Sequence, residues 1–179
     1  MRTLFLWLGL GCIGYCVYVT AKEHLNQSFD QWLFNQPATS QPDGVLGKIE
    51  ISRLHLAAMV REGVDDDTLS TSVGHVPSTA LPGHSGNFAL AAHRDTLFRA
   101  LKDIKRNDLV TFQSRNGTFT YRVHDMRIVK PTDVAVLRSD GHEELTLITC
   151  YPFYFIGSAP ERFVVRARLV SETAMASAE

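Results

Sequence analysis

The chain has 179 residues, with 18 Lys+Arg against 19 Asp+Glu and a formal charge of −1. That is room for one ordinary domain with an appendage. At 45% hydrophobic and 21% charged residues the composition is globular, not disordered. The charge balance excludes a nucleic-acid binder held by phosphate electrostatics, because no basic excess exists to displace counterions. Three cysteines, two of them within the first sixteen residues, exclude a disulfide-stapled miniprotein and a zinc ribbon.

From Thr3 to Ala21 the chain carries no charge and is bounded by Arg2 and Lys22. As a helix these residues span roughly 28 Å, close to the hydrocarbon thickness of a bilayer. The run is longer than the apolar core of a signal peptide, and Val19-Thr20-Ala21 is a weak cleavage site. The expectation is one N-terminal transmembrane helix, residues 1–21, with Trp7, Tyr15 and Tyr18 as candidate interfacial anchors. Arg2 and the amino terminus on one flank favour a cytoplasmic N-terminus and an extracytoplasmic remainder. Cys12 and Cys16 then lie in lipid, and Cys150 is the only thiol of the remaining chain.

In residues 22–43, Leu25, Phe29, Trp32 and Leu33 share one helical face, which predicts a juxtamembrane helix, and residues 37–44 form a Pro/Ser/Gly linker. Residues 44–170 alternate mostly with period two. Ile49 and Ile51 alternate with Lys48, Glu50 and Ser52, and Leu54 and Leu56 flank His55. Phe88–Ala92 is a short apolar run. Thr96–Ile104 places Leu97, Leu101 and Ile104 on one helical face, and a brief helical turn follows Pro131. Leu109–Phe112 and Thr118–Val123 flank Ser114-Arg115-Asn116-Gly117, and Asn-Gly is a strong hairpin signal. Leu145–Thr149 and Phe163–Leu169 read as strands with one wet face, and residues 171–179 as a frayed tail. Many short strands at even spacing predict a mainly β fold, a closed or nearly closed barrel with small helices.

Cys150 ends the run Leu145–Thr149, and Pro152 stops the strand, so the thiol lies at a rim. Read alone, it is either a nucleophile or an inert core thiol. His93 likewise stands where an apolar run meets the polar Arg94-Asp95-Thr96. A thiol of pKa about 8.5 is mostly protonated at neutral pH, and an adjacent imidazole makes it a usable nucleophile. A structural histidine is the alternative. Arg162 opens the last strand and can aim its fork at a developing oxyanion, or form a solvated face with Arg166 and Arg168.

His93, Cys150 and Arg162, in that chain order, resemble the catalytic triad of the sortases. Thr146-Leu147-Ile148-Thr149-Cys150 is similar to the strand that carries the family's cysteine. Tyr151-Pro152-Phe153 and the stretch from Gly157 to Val165 resemble the Cys-to-Arg segment of class D sortases, as do Gly74-His75-Val76-Pro77, Thr79–Gly83 and Ala92–Thr96. Two positions depart from the pattern: Ala92 stands where that class usually has Gly, and Ser52 where Pro is common.

The resemblance implies a sortase-type closed barrel of about eight strands. It implies a membrane-anchored cysteine transpeptidase that cleaves an LPxTG-like sorting signal after Thr through a Cys150 thioester, with His93 as general acid/base and Arg162 steadying the oxyanion. Its partners would be surface proteins carrying that signal and an amine acceptor from a peptidoglycan precursor or a pilin. Its place would be the bacterial cytoplasmic membrane, single-pass, with the catalytic domain outside. Thr149 and Tyr154 are the candidates for substrate contact, and residues 57–73 and 131–142 are the expected specificity loops. No metal or other cofactor is expected, and the calcium-binding acidic residues of some sortases have no identifiable counterpart; Asp65-Asp66-Asp67 reads as a solvated loop. The rival readings are a zinc site built from His75, His84, His93 and Cys150, a cysteine enzyme of the L,D-transpeptidase kind, and a catalytically inactive barrel. The second keeps its histidine and cysteine in one short motif, whereas 57 positions separate His93 from Cys150.

Overall fold

Eight strands close into a barrel in the order β1-β2-β3-β4-β7-β8-β6-β5 in a computed structural model that describes residues 7, 10–15, 17–18, 44–155 and 157–174. The strands are β1 (Val45–Ile51), β2 (Leu56–Glu62), β3 (Val73–His75), β4 (Asn87–Ala91), β5 (Leu109–Gln113), β6 (Gly117–Val129), β7 (Glu144–Tyr151) and β8 (Glu161–Ala174). One short helix, α1 (Asp66–Thr71), joins β2 to β3. Most neighbours are antiparallel; β2 with β3 and β4 with β7 are parallel.

The period-two pattern is what closes the barrel. On β7, Leu145 and Leu147 point into a core shared with Phe88 and Leu90 of β4 and Val165 and Ala167 of β8. The intervening Glu144, Thr146, Ile148 and Cys150 therefore face outward, as alternation on a pleated strand requires. Across the interior, Phe88 meets Phe112 edge-on with ring centroids 4.9 Å apart. The Asn116-Gly117 turn joins β5 to β6 as expected, with Ser114 N–H bonded to Gly117 O at 2.8 Å.

Several expectations are corrected. The predicted helix at 96–104 is a turn followed by a five-residue 3-10 helix, Arg99–Asp103. Leu101 at its centre and the flanking Phe98 and Ile104 are buried, a spacing of three that matches the 3-10 period and not the α period. β8 continues through the segment read as a frayed tail, pairing Ser171 with Thr120 and Thr173 with Thr118. Of the expected specificity loop at 57–73, the first third is strand β2. Asp65 caps α1, its Oδ1 accepting the Thr68 N–H at 3.0 Å, so the acidic run is a helix start and not a bare loop. Gly74 lets α1 and the β2 end approach: a Cβ there would lie 2.2 Å from Gly63 O and 2.9 Å from Leu69 Cδ2.

In the N-terminal segment the described residues are helical, and Trp7, Leu10, Ile13, Tyr15, Val17 and Tyr18 are all exposed. Among the described residues no helix is long and apolar enough to cross a membrane. The rest of the expected transmembrane span and all of the juxtamembrane helix and linker before Gly44 lie outside them.

Candidate active site

Three strands bring the predicted triad to one level of the barrel wall. β4 runs parallel to β7 with Ala91 opposite Ile148, and the register continues through a bond from Ala92 N–H to Ile148 O at 3.3 Å. Two positions past that rung stand His93, just beyond the end of β4, and Cys150 on β7. On the far side of β7, Cys150 pairs directly with Arg162 of β8. Phe88 and Leu90 of β4 and Val165 and Ala167 of β8 belong to the core, so alternation turns Cys150 and Arg162 to one outer face, and His93 follows the end of β4 beside β7. His93 is exposed, while Cys150 and Arg162 are half-buried.

Neighbouring bonds fix the level. Thr149 donates its hydroxyl to Ala92 O at 2.8 Å, and His93 O accepts the Phe98 N–H at 3.0 Å. Arg162 Nη1 donates to Ala159 O at 3.3 Å and to Glu161 O at 3.0 Å. The substitution of Ala for the usual glycine before the histidine is accommodated, because neither Ala92 nor Ser52 has a positive φ.

Below the triad level, the outer faces of β7 and β8 carry a pocket of about 130 Å³. Ile148 and Val164 form its floor, Pro131, Val134 and Leu137 line it from the β6–β7 connection, and Arg162 stands at its triad end. The 3-10 turn Val134–Leu137 is held down by Asn87, whose Nδ2 donates to Val136 O at 3.2 Å while its Oδ1 accepts the Thr146 hydroxyl at 2.7 Å. A larger open hollow of about 460 Å³ lies between His55 at the β1–β2 turn and the segment from Thr96 to Asp103. It contains none of the three residues, and size alone does not make it the site of their chemistry.

Of the two residues expected to contact substrate, Tyr154 is exposed on the β7–β8 connection, its hydroxyl accepting from Lys102 Nζ at 2.8 Å. Thr149 is corrected. It is 2% exposed, faces the barrel interior with Leu145 and Leu147, and serves as a tie between β7 and β4. Sequence reading missed Arg94, whose Nη2 bonds the β7–β8 connection at Phe155 O and Gly157 O. No local signal marks it beyond its position next to His93.

The zinc reading is also corrected. His75 is 3% exposed, with Nδ1 on Glu62 Oε2 at 2.6 Å and Nε2 on Thr79 Oγ1 at 2.9 Å. Both ring nitrogens are committed to structure. Among the described residues no group of three or more His, Cys, Asp or Glu side chains is placed to hold a metal ion.

A family model described as the sortase domain matches residues 49–170. Sortase D of Bacillus subtilis (strain 168) is 34% identical over 137 residues, which cover 76% of this chain and 68% of that protein. Sortase A of Bacillus anthracis is 28% identical over 134 residues, covering 73% of this chain and 62% of that one. Among solved structures, a sortase D5 transpeptidase of Clostridium perfringens superposes with a TM-score of 0.70 at 23% identity, covering 83% of this chain and 98% of that one. Sortase C1 of Streptococcus agalactiae does so with a TM-score of 0.67 at 28% identity, covering 82% and 86%.

Proposed function

The chain belongs to the sortase family of transpeptidases, and from that premise we propose that Cys150, His93 and Arg162 cut and rejoin a peptide bond at the outer wall of the barrel. The observation that carries this reading is the direct pairing of Cys150 with Arg162 across β7 and β8, with His93 two residues past the end of β4, which runs parallel to β7. The thiolate Sγ of Cys150 attacks the carbonyl carbon after the threonine of an LPxTG-like sorting signal. The oxyanion that develops is met by the Arg162 guanidinium. Collapse of the intermediate breaks the C–N bond, and His93 gives the departing amine its proton. An incoming amine, deprotonated by His93, then displaces the thiol and forms the new amide, which returns Cys150 to its starting state.

The donor peptide lies in the pocket floored by Ile148 and Val164. An apolar wall of Pro131, Val134 and Leu137 suits the leucine and proline of such a signal; Tyr154, exposed on the β7–β8 connection, is the second candidate for peptide contact. The acceptor is an amine of a peptidoglycan precursor or a pilin lysine, and the donors are surface proteins that end in the signal. The uncharged run Thr3–Ala21 supports a single-pass anchor in the bacterial cytoplasmic membrane with the barrel outside. Side chains alone supply the chemistry in this scheme, so chelation or added calcium is expected to leave the acylation rate unchanged.

The test mixes the full-length protein with LPxT-type peptides and hydroxylamine. Mass spectrometry is expected to find an acyl adduct on Cys150 and a hydroxamate product, both absent in Cys150→Ala. Turnover retained by Cys150→Ala would refute the mechanism, and the absence of any adduct across the peptide set would favour an inactive barrel.

A further inference from the structure

The connection between β7 and β8 begins at the nucleophile and ends at the arginine opposite it, and two guanidinium groups grip its backbone from different sides. Arg94 Nη2 donates to Phe155 O at 2.7 Å and Gly157 O at 2.9 Å, and its guanidinium carbon sits 5.8 Å from the centre of the Phe155 ring. Arg162 Nη1 donates to Ala159 O and Glu161 O further along the same connection. Lys102 adds a second clamp on Tyr154, bonding its hydroxyl at 2.8 Å with the ammonium 5.5 Å from the ring centre.

The consequence is geometric. Arg162 bonds carbonyls near the end of a connection whose start is anchored by Phe153, packed on Tyr151 and Phe163, while Tyr154 and Phe155 beyond it are exposed. What holds that exposed part in place comes from the segment after His93. Both bonds come from one nitrogen, Nη2, whose two N–H groups reach carbonyls two residues apart, so the connection is held at two points and not one.

We propose that Arg94 is a positioning residue for acyl transfer: by holding the β7–β8 connection at Phe155 and Gly157 it sets the aim of the Arg162 guanidinium at the reacting carbonyl. This rests on the assignment of Cys150, His93 and Arg162 given above. Arg94 touches neither substrate nor the reacting atoms in this account. Its effect passes through the connection to Arg162, so it belongs to the transition state more than to peptide binding. It also links the segment that follows the general acid to the connection that leads into β8 and its Arg162.

The experiment measures single-turnover acylation of the full-length protein by an LPxT-type peptide, by mass spectrometry, in the parent, Arg94→Gln, Arg94→Lys, Arg162→Lys and the double variant Arg94→Gln/Arg162→Lys. Arg94→Gln is expected to slow acylation at saturating peptide by about tenfold to a hundredfold, the loss typical of a misplaced catalytic group, with the half-saturating peptide concentration nearly unchanged. Arg94→Lys, which keeps a cationic nitrogen but loses the planar guanidinium beside Phe155, is expected to fall between the parent and Arg94→Gln and carries the same comparison if Arg94→Gln loses its cooperative melting transition. In the Arg162→Lys background the Arg94 substitution should add less than about threefold, because residues acting through one another do not add. The pH profile of Cys150 alkylation by iodoacetamide should stay where it is in the parent.

Equal fold-losses in the two backgrounds would overturn the proposal, as would parental acylation by Arg94→Gln or a displaced alkylation profile. A parent that forms no adduct with any peptide would bring down the catalytic assignment and this inference together, whereas a working parent with any of the preceding results would bring down the inference alone.

Discussion

Thr149 and Cys150 are consecutive in the chain but face opposite sides of β7, and that single alternation separates structure from chemistry. The threonine hydroxyl is buried against Ala92 O, whereas the thiol shares the outer face with Ile148 and the pocket. Thr149→Val keeps the volume but strands a buried carbonyl one residue before His93. It should cost about 1–2 kcal/mol in urea unfolding and lower acylation through displacement of His93. On the outer face, His93→Ala and Arg162→Ala should each slow acylation by about 10²–10⁴-fold, by analogy with lost general acids and oxyanion donors. Cys150, His93 and Arg162 were readable from strand ends and from their resemblance to a known triad. The inward turn of Thr149 was equally open to reading, since Leu145 and Leu147 set the phase. Arg94 was not, because its partners are backbone carbonyls 61 and 63 positions away, and backbone carries no residue-type signal.

At the level of elements, two polar ties brace the barrel, and the first lies on the wall that carries the site. The register of β6 on β8 shifts between Val123 and Asp125, leaving His124 as the extra residue of a bulge, the usual means of re-aiming a side chain. His124 Nε2 meets Glu144 Oε1 of β7 at 2.8 Å, and Arg166 of β8 bonds the other carboxylate oxygen. Glu144 is 1% exposed, so its removal leaves a half-buried guanidinium without its counter-charge. Glu144→Gln is expected to cost about 3 kcal/mol in urea unfolding, the range for a broken buried pair; a cost within experimental error would show the pair to be dispensable.

The second tie joins the β1–β2 turn to the start of β5. Arg53 grips Asp108 with Nε at 2.6 Å and Nη2 at 2.5 Å, and the Lys105 N–H adds a bond at 2.7 Å. The Arg53 fork holds the Asp108 carboxyl below the usual carboxylate range. A lowered folded-state value means the stabilisation is complete above the unfolded value of about 4 and is lost as pH falls through the folded one. Asp108→Asn should therefore melt lower than the parent from neutral pH down to about pH 4, with the gap closing below that. A gap that stays constant to the lowest measurable pH would rule out the ion pair as its cause. Neither tie was legible in the sequence, because each joins residues whose proximity only the barrel creates. The 3-10 helix was half legible: its burial pattern was present, but Phe98, not Leu97, opens it.

Over the whole molecule, closure of the barrel turns scattered strand ends into one rim. The order β4-β7-β8 makes neighbours of segments more than fifty residues apart, and the chain order of the strands does not announce it. The mainly β class and the hairpin at Asn116-Gly117 followed from alternation and turn chemistry alone. The closed or nearly closed barrel followed from the even spacing of the strands; the parallel β4–β7 pairing did not, and only the fold shows it. β2 and β3 escaped notice because Ala57-Ala58 and Gly74 dilute their apolar signal, and the extension of β8 because Ser171-Glu172-Thr173 is polar and carries no apolar alternation.

The account depends on His93, Cys150 and Arg162 meeting at one peptide carbonyl on the outer wall. A crystal structure of the protein carrying a sorting-signal mimic covalently attached to Cys150 Sγ tests this directly. The peptide should run over Ile148 and Val164 beneath Val134, with its threonine carbonyl oxygen within hydrogen-bond distance of the Arg162 guanidinium and the His93 ring at the leaving-group side. A peptide lying instead in the hollow beside His55 and Leu97, with Arg162 turned away from the carbonyl, would contradict it.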